Sequence, residues 1–126
     1  MLADIDRFKL INDGFGHIEG DNALRNAAKI LKETIQEFKS EASLFLARYG
    51  GDEFAIIART NDDTLQERII EAIQKRTDKL NENQIYKIVF SIGAANYTTK
   101  YKTPAEFIAE ADRKMYNVKE AHHAIR

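Results

Sequence analysis

The stretch that decides the fold is Leu44-Phe45-Leu46-Ala47-Arg48-Tyr49-Gly50-Gly51-Asp52-Glu53-Phe54-Ala55-Ile56-Ile57-Ala58. Two apolar runs, Leu44 to Tyr49 and Phe54 to Ala58, flank a glycine pair. Gly50-Gly51 suits a tight hairpin, because glycine enters the backbone regions that short β-turns need. The second run carries apolar side chains at consecutive positions, hence on both faces of a strand. That predicts a central strand covered on both sides.

Working outward, Leu24, Ala27, Ala28, Leu31, Ile35 and Phe38 recur at helical spacing and predict a helix over Asp21 to Phe38. Downstream, Thr64 and Glu67 have the spacing of a capping box, with Leu65, Ile69, Ile73 and Leu80 on one face of the helix that follows. Ile88, Phe90, Ile92 and Ala94 alternate as in a strand. Thr103-Pro104-Ala105-Glu106 opens a last helix, lined by Phe107, Ala111, Met115 and Val118. Met1 to Ile5 reads as the stub of a first strand. The order is strand stub, helix, hairpin, helix, strand, helix. The predicted class is therefore α/β in the α+β sense, a sandwich of helices on a mostly antiparallel sheet.

A chain of 126 residues is enough for one compact domain. The 19 basic and 20 acidic residues nearly cancel, which argues against a general nucleic-acid binder. No run approaches the roughly 20 apolar residues of a membrane span, so no membrane contact is expected. Without cysteine there is no disulfide or thiolate chemistry, in keeping with a cytoplasmic setting. His17, His122 and His123 lack the spacing of a zinc site.

Two clusters carry the chemistry. Asp4-Ile5-Asp6-Arg7-Phe8-Lys9 runs into Asn12-Asp13, Gly16-His17 and Gly20-Asp21. Asp4 ends the stub strand, beside a glycine-bearing loop. The second cluster, Gly50-Gly51-Asp52-Glu53, presents two carboxylates at a turn. Mg²⁺ takes one or two carboxylates and keeps room for phosphate oxygens and water, and Asp4 with Asp52 supplies such a pair. Taken singly, each piece has an ordinary structural reading. Asp-x-Asp is commonly a solvated loop, Gly-Gly a turn, Asp21 a helix N-cap and Lys9 a surface charge.

Together and in this order they resemble one family. Asp4-x-Asp6-x-Phe8-Lys9-x-Ile11-Asn12-Asp13-x-x-Gly16-His17-x-x-Gly20-Asp21-x-x-Leu24 looks like the opening motif of the GGDEF domains, the diguanylate cyclases. Gly50 to Phe54 are the five residues that name it. Ser91-Ile92-Gly93-Ala94 resembles its late strand. Ala111-Asp112-x-x-Met115-Tyr116-x-x-Lys119 resembles its last helix.

The resemblance implies a fold like the polymerase palm and the class III nucleotide cyclases. It implies the condensation of two GTP into cyclic di-GMP with release of two pyrophosphates. Each 3′-hydroxyl attacks the α-phosphorus of the other nucleotide, so a homodimer is needed. By carry-over, Asp4, the Ile5 carbonyl and Asp52 hold Mg²⁺, or Mn²⁺ in its place. Asp52 is the candidate general base and Glu53 helps to shape the site, with bonding to the turn backbone as its alternative. Lys9 and Lys119 face the phosphates, and backbone N–H groups around Phe8 cradle them. Asn12 and Asp21 read guanine. A carboxylate only accepts hydrogen bonds and suits the adjacent N1–H and N2–H₂ donors, so Asp21 favours GTP over ATP. Asp6, Phe8, Ile11 and Leu24 read otherwise as packing or loop-shaping residues, and His17 as structural.

Three departures stand out. Only Met1 to Ala3 precede Asp4, whereas the family begins earlier with a helix and a longer first strand. The expectation is a single domain over residues 1–126 that lacks its N-terminal part, leaves apolar surface open to a partner chain and follows a sensor in the parent protein. His123 stands where the family often has an arginine, with Arg113 and Arg126 as candidate substitutes. Glu41 and Leu44 occupy the positions of an Arg-x-x-Asp product-inhibition site, so feedback through it is expected to be absent. The competing reading is a binding module for GTP or cyclic di-GMP without turnover.

Overall fold

A computed structural model describes residues 1–124 of the chain. The elements are β1 (Leu2–Ile5), α1 (Phe8–Phe15), α2 (His17–Phe38), β2 (Ser43–Arg48), β3 (Glu53–Arg59), α3 (Leu65–Asn81), β4 (Phe90–Gly93) and α4 (Pro104–Ala124). The four strands form one sheet in the order β2-β3-β1-β4, antiparallel throughout. β3 is central, as its two-faced apolar run predicts, but it is not covered on both sides: Ile57 is 61% exposed and Ala58 is exposed as well. β1, although only four residues long, is central as well. It pairs Asp4 with Glu53 on one side and with Ser91 on the other.

Alternation along β1 divides the interior. Ala3 and Ile5 join Phe54, Ile56 and Phe90 in the main core, under Ala23, Ala27, Ile30 and Leu31 of α2 and Leu65, Ile69 and Ile73 of α3. Leu2 belongs to a smaller cluster on the other face, with Ala111 and Met115 of α4. Gly93 lets α4 lie directly on β4. A methyl group added there would fall 2.1 Å from the Ala111 carbonyl oxygen and 2.1 Å from the Met115 nitrogen.

Four local expectations need correction. First, the segment between Asp6 and Gly16 is not a loop, because Phe8–Phe15 is helical. Asn12, Asp13 and Gly14 give it poor intrinsic propensity, but buried Ile11 and packing on α2 hold it. Arg7 (φ 53°, ψ 36°) starts it in the left-handed region. Second, α2 begins at His17, after Gly16 at φ 88°, so Asp21 lies inside the helix and is no N-cap. Third, Gly50 and Gly51 adopt no positive φ. Tyr49 to Asp52 form a four-residue connection in which the Tyr49 and Gly50 N–H groups both donate to the Glu53 carbonyl. Fourth, the Thr64 capping box is not made. The Thr64 backbone N–H and its hydroxyl both donate to the Asp62 carboxylate, a charged acceptor two residues away. The box at α4 does form in outline. Thr103 Oγ1 accepts the Glu106 N–H at 3.3 Å, and the Glu106 carboxylate accepts the Lys102 N–H at 2.7 Å.

Candidate functional site

β1 ends at the middle of one edge of the sheet, and its last polar side chain, Asp4, is 4% exposed. Lys119 of α4 donates to Asp4 Oδ2 at 2.7 Å. Asp4 Oδ1 is buried and has no hydrogen-bond partner. Asp52, at the end of the connection before β3, approaches the same carboxyl. Burial raises the Asp4 pKa, Lys119 pulls it back, and Asp52 adds a further upward push, leaving it at about 6. Burial works against the Lys119 charge, yet Asp4, Asp52 and Asp6 together hold its pKa above the usual lysine value. Two acidic groups therefore lie close together, one of them with a buried oxygen that lacks a partner. A divalent cation satisfies that arrangement directly, so the residues present fit a metal. Among the described residues no group of three or more His, Cys, Asp or Glu forms a metal cluster. A two-carboxylate site for Mg²⁺ does not require one.

The turn from β1 into α1 offers the complementary charge. Arg7 in the left-handed region followed by helical residues is the backbone alternation that gathers N–H groups into an anion-binding hollow. The N–H groups of Phe8 and Lys9 open α1 and have no partner among the described residues. The Phe8 ring is half-buried against the core, whereas the Lys9 side chain is exposed. Asn12 lies over Gly20 of α2, where an added methyl would meet its Oδ1 at 1.6 Å. Gly20 thus brings Asn12 beside the exposed Asp21, the next residue along α2.

Glu53 pairs across from Asp4 but turns toward the hairpin. A side chain at Gly50 would come within 3.2 Å of Glu53 Oε2. Arg48 closes the same connection, donating to the Gly51 carbonyl at 2.6 and 3.0 Å and to the Gly50 carbonyl at 3.2 Å.

Sequence reasoning missed a third group. Ser91 of β4 donates to Asp6 Oδ1, and His122 of α4 bonds Asp6 Oδ2 at 2.6 Å. Asp6 was read only as a packing or loop residue. The available signal was a matched offset, Asp4 on β1 and Asp6 just beyond its end against Lys119 and His122 on a helix. His123 is exposed. Arg113 pairs with Glu110 on α4, and Arg126 lies outside the described residues. Glu41 pairs with Arg68 at 2.8 Å and Leu44 is a half-buried β2 residue. A cavity of about 540 Å³ lies beside α1, between Leu10, Phe15 and Tyr86. Its lining includes Asp6 and His122 but none of Asp4, Asn12, Asp52 or Lys119.

The family described as diguanylate cyclase, GGDEF domain, matches residues 1–124. The chain belongs to the GGDEF family. Among its curated relatives, this GGDEF chain is 28% identical over 123 residues to diguanylate cyclase A of Treponema denticola, covering 95% of this chain and 32% of that protein. It is 35% identical to diguanylate cyclase TpbB of Pseudomonas aeruginosa, covering 94% and 27%. The chain thus spans about a third or less of those relatives. Among solved structures, the GGDEF domain of DgcB from Caulobacter crescentus in complex with c-di-GMP superposes with a TM-score of 0.79 at 28% identity, covering 95% of this chain and 70% of that one. The active GGEEF domain of a diguanylate cyclase from Vibrio cholerae gives 0.76 at 30%, covering 95% and 74%. No helix among the described residues is long and apolar enough to cross a membrane.

Proposed function

We propose that this GGDEF domain condenses two GTP into cyclic di-GMP and two pyrophosphates, as one half of a symmetric pair. The observation that carries this is the buried Asp4 carboxyl, its Oδ1 unpartnered and its Oδ2 held by Lys119, with Asp52 close by. Asp4, the Ile5 carbonyl and Asp52 would hold Mg²⁺, or Mn²⁺. Such an ion supplies a lowered pKa for the attacking 3′-hydroxyl and stabilises charge on the phosphates. Asp52 accepts the hydroxyl proton. Glu53 keeps the connection before β3 in shape. The Phe8 and Lys9 N–H groups, with the Lys9 and Lys119 ammonium groups, take the triphosphate. Asn12 and Asp21 take the guanine edge. One domain orients one nucleotide, so the ring closes only between two copies facing across a two-fold axis. An upstream sensor in the parent protein would supply that pairing. The reaction draws on GTP and Mg²⁺, which places the domain in the cytoplasm. With Glu41 engaged by Arg68, the Arg-x-x-Asp type of product inhibition has no side chains to act through.

The deciding experiment incubates concentrated protein with GTP and Mg²⁺ and separates the nucleotides. Cyclic di-GMP formed at a rate rising steeply with protein concentration supports the proposal. Mg²⁺-dependent GTP binding without product would leave the non-catalytic binding module.

Two further outcomes follow. Gly20→Ala is expected to displace the Asn12 side chain, whose amide end swings away at little cost. Alanine also suits a helix interior better than glycine by up to about 1 kcal/mol. GTP affinity should fall about tenfold, one lost hydrogen bond to the base, while urea stability holds or rises. Calorimetric titration and denaturant melts of one sample test that split. The second concerns pH. The folded Asp4 pKa, about 6, lies above its ordinary 3.8. The folded state therefore binds this proton more tightly than the unfolded chain. The associated stability is complete below pH 3.8 and is lost as pH rises through about 6. In metal-free buffer, denaturant melts from pH 4 to 7 should show a fall that Asp4→Asn flattens.

A further inference from the structure

Two side-chain pairs join the end of α4 to the end of β1. Lys119 Nζ donates to Asp4 Oδ2 at 2.7 Å. One helical turn later, His122 Nδ1 meets Asp6 Oδ2 at 2.6 Å. The offsets match, because residues two apart on an extended chain and three apart on a helix each share a face. The second Asp6 oxygen accepts the Ser91 hydroxyl from β4. A carboxylate only accepts, so the hydrogen sits on His122 Nδ1, and the Ser91 proton points at Asp6. Ser91 Oγ, 3.2 Å from Nδ1, is left as a further acceptor. Asp6 and Ser91 are buried and both Asp6 oxygens are engaged, whereas Asp4 keeps one oxygen without a partner.

The two pairs have different fates under the proposed chemistry. A divalent ion on Asp4 Oδ1 would stand close to the Lys119 ammonium on Oδ2 and weaken that contact by like-charge repulsion. Lys119 is also wanted at the phosphates. Were Asp4 its only partner on β1, the end of α4 would come loose at the moment its lysine is needed. The His122–Asp6–Ser91 contact involves none of Asp4, Ile5 or Asp52 and survives the exchange.

We infer that His122 is a positioning residue: by holding Asp6 it keeps the last turns of α4 on the sheet while Lys119 moves from Asp4 to the triphosphate. The same contact fixes the carboxylate just before Arg7, where β1 turns into the N-terminus of α1. One side chain thereby sets both the phosphate-facing lysine and the phosphate-facing amides.

This inference rests on the proposed nucleotide chemistry, and the test separates the two. Amide hydrogen exchange on the nucleotide-free chain reads the anchor alone. His122→Ala should speed exchange over residues 116–124 by about tenfold or more. His122→Asn, whose amide nitrogen occupies the place of Nδ1, should restore protection. Calorimetric binding of 3′-deoxy-GTP with Mg²⁺, which cannot be cyclised, reads positioning. Affinity should fall about tenfold in His122→Ala and recover in His122→Asn. Unchanged exchange in His122→Ala overturns the anchor. Faster exchange with unchanged affinity overturns positioning. A parent chain that binds no 3′-deoxy-GTP removes the nucleotide reading and the positioning role with it, while exchange still decides the anchor.

Discussion

Asp52→Ala is expected to lower the rate of cyclic di-GMP formation by at least about a thousandfold, the combined loss of a metal carboxylate and a proton acceptor. The fold should not suffer. β1 is tied to this position through the backbone, Ile5 N–H donating to the Asp52 carbonyl at 3.2 Å, and that bond survives truncation of the side chain. Stability should hold or rise, because Asp52 is one of the groups that push the Asp4 pKa up to about 6. Removing it relieves a repulsion inside the folded state. The diagnostic pattern is therefore activity lost with the urea midpoint unchanged or higher. Turnover within tenfold of the parent would deny Asp52 both of its roles.

Gly93→Ala is expected to cost about 3 kcal/mol or more, at the upper end of the range for forcing a methyl group into a packed interior. Two of the atoms it would strike, the Ala111 carbonyl oxygen and the Met115 nitrogen, both at 2.1 Å, belong to the α4 backbone and cannot rotate aside. The helix has to lift, and Ala111 and Met115 lose part of their cover by Leu2. For a domain of this size the melting temperature should drop by about 10 °C or more. Catalysis should suffer as well, since lifting α4 draws Lys119 away from the place proposed for the phosphates. Gly51→Ala is the matched control. Nothing lies within 4 Å of its added methyl, and its φ is ordinary. A change within about 0.5 kcal/mol is expected there. Equal melting temperatures for the parent and Gly93→Ala would show that α4 is not seated as described.

Much of this was legible in the chain itself. The apolar runs on either side of Gly50 and Gly51 placed the two strands within a residue of their observed limits, and the spacing of Leu65, Ile69 and Ile73 placed α3. Long elements with a regular apolar period announce themselves because their burial is repetitive. α1 did not, since it is eight residues long and its Asn12-Asp13-Gly14 core would not stay helical alone. The turn glycines misled for a different reason. They serve the close approach of Glu53 and exposed carbonyls for Arg48, not a left-handed backbone. Asp4 and Asp52 were recognisable as a carboxylate pair from their chemistry, and the family motif joined them to the rest of the site. The His122–Asp6–Ser91 contact joins residues 116 and 85 apart in sequence, where no local period speaks.

The strand order also has a consequence in time. β1 lies at the start of the chain, yet its two neighbours in the sheet are β3 and β4, with Leu2 facing Ala55 on one side and Gly93 on the other. Contacts of such sequence separation form slowly, because a long loop must close before they repay it. During synthesis Asp4 is made well before the strand and the helix that enclose it. Its carboxylate waits in water until β4 and α4 have been translated, so a half-made chain has no pocket in which to trap a nucleotide.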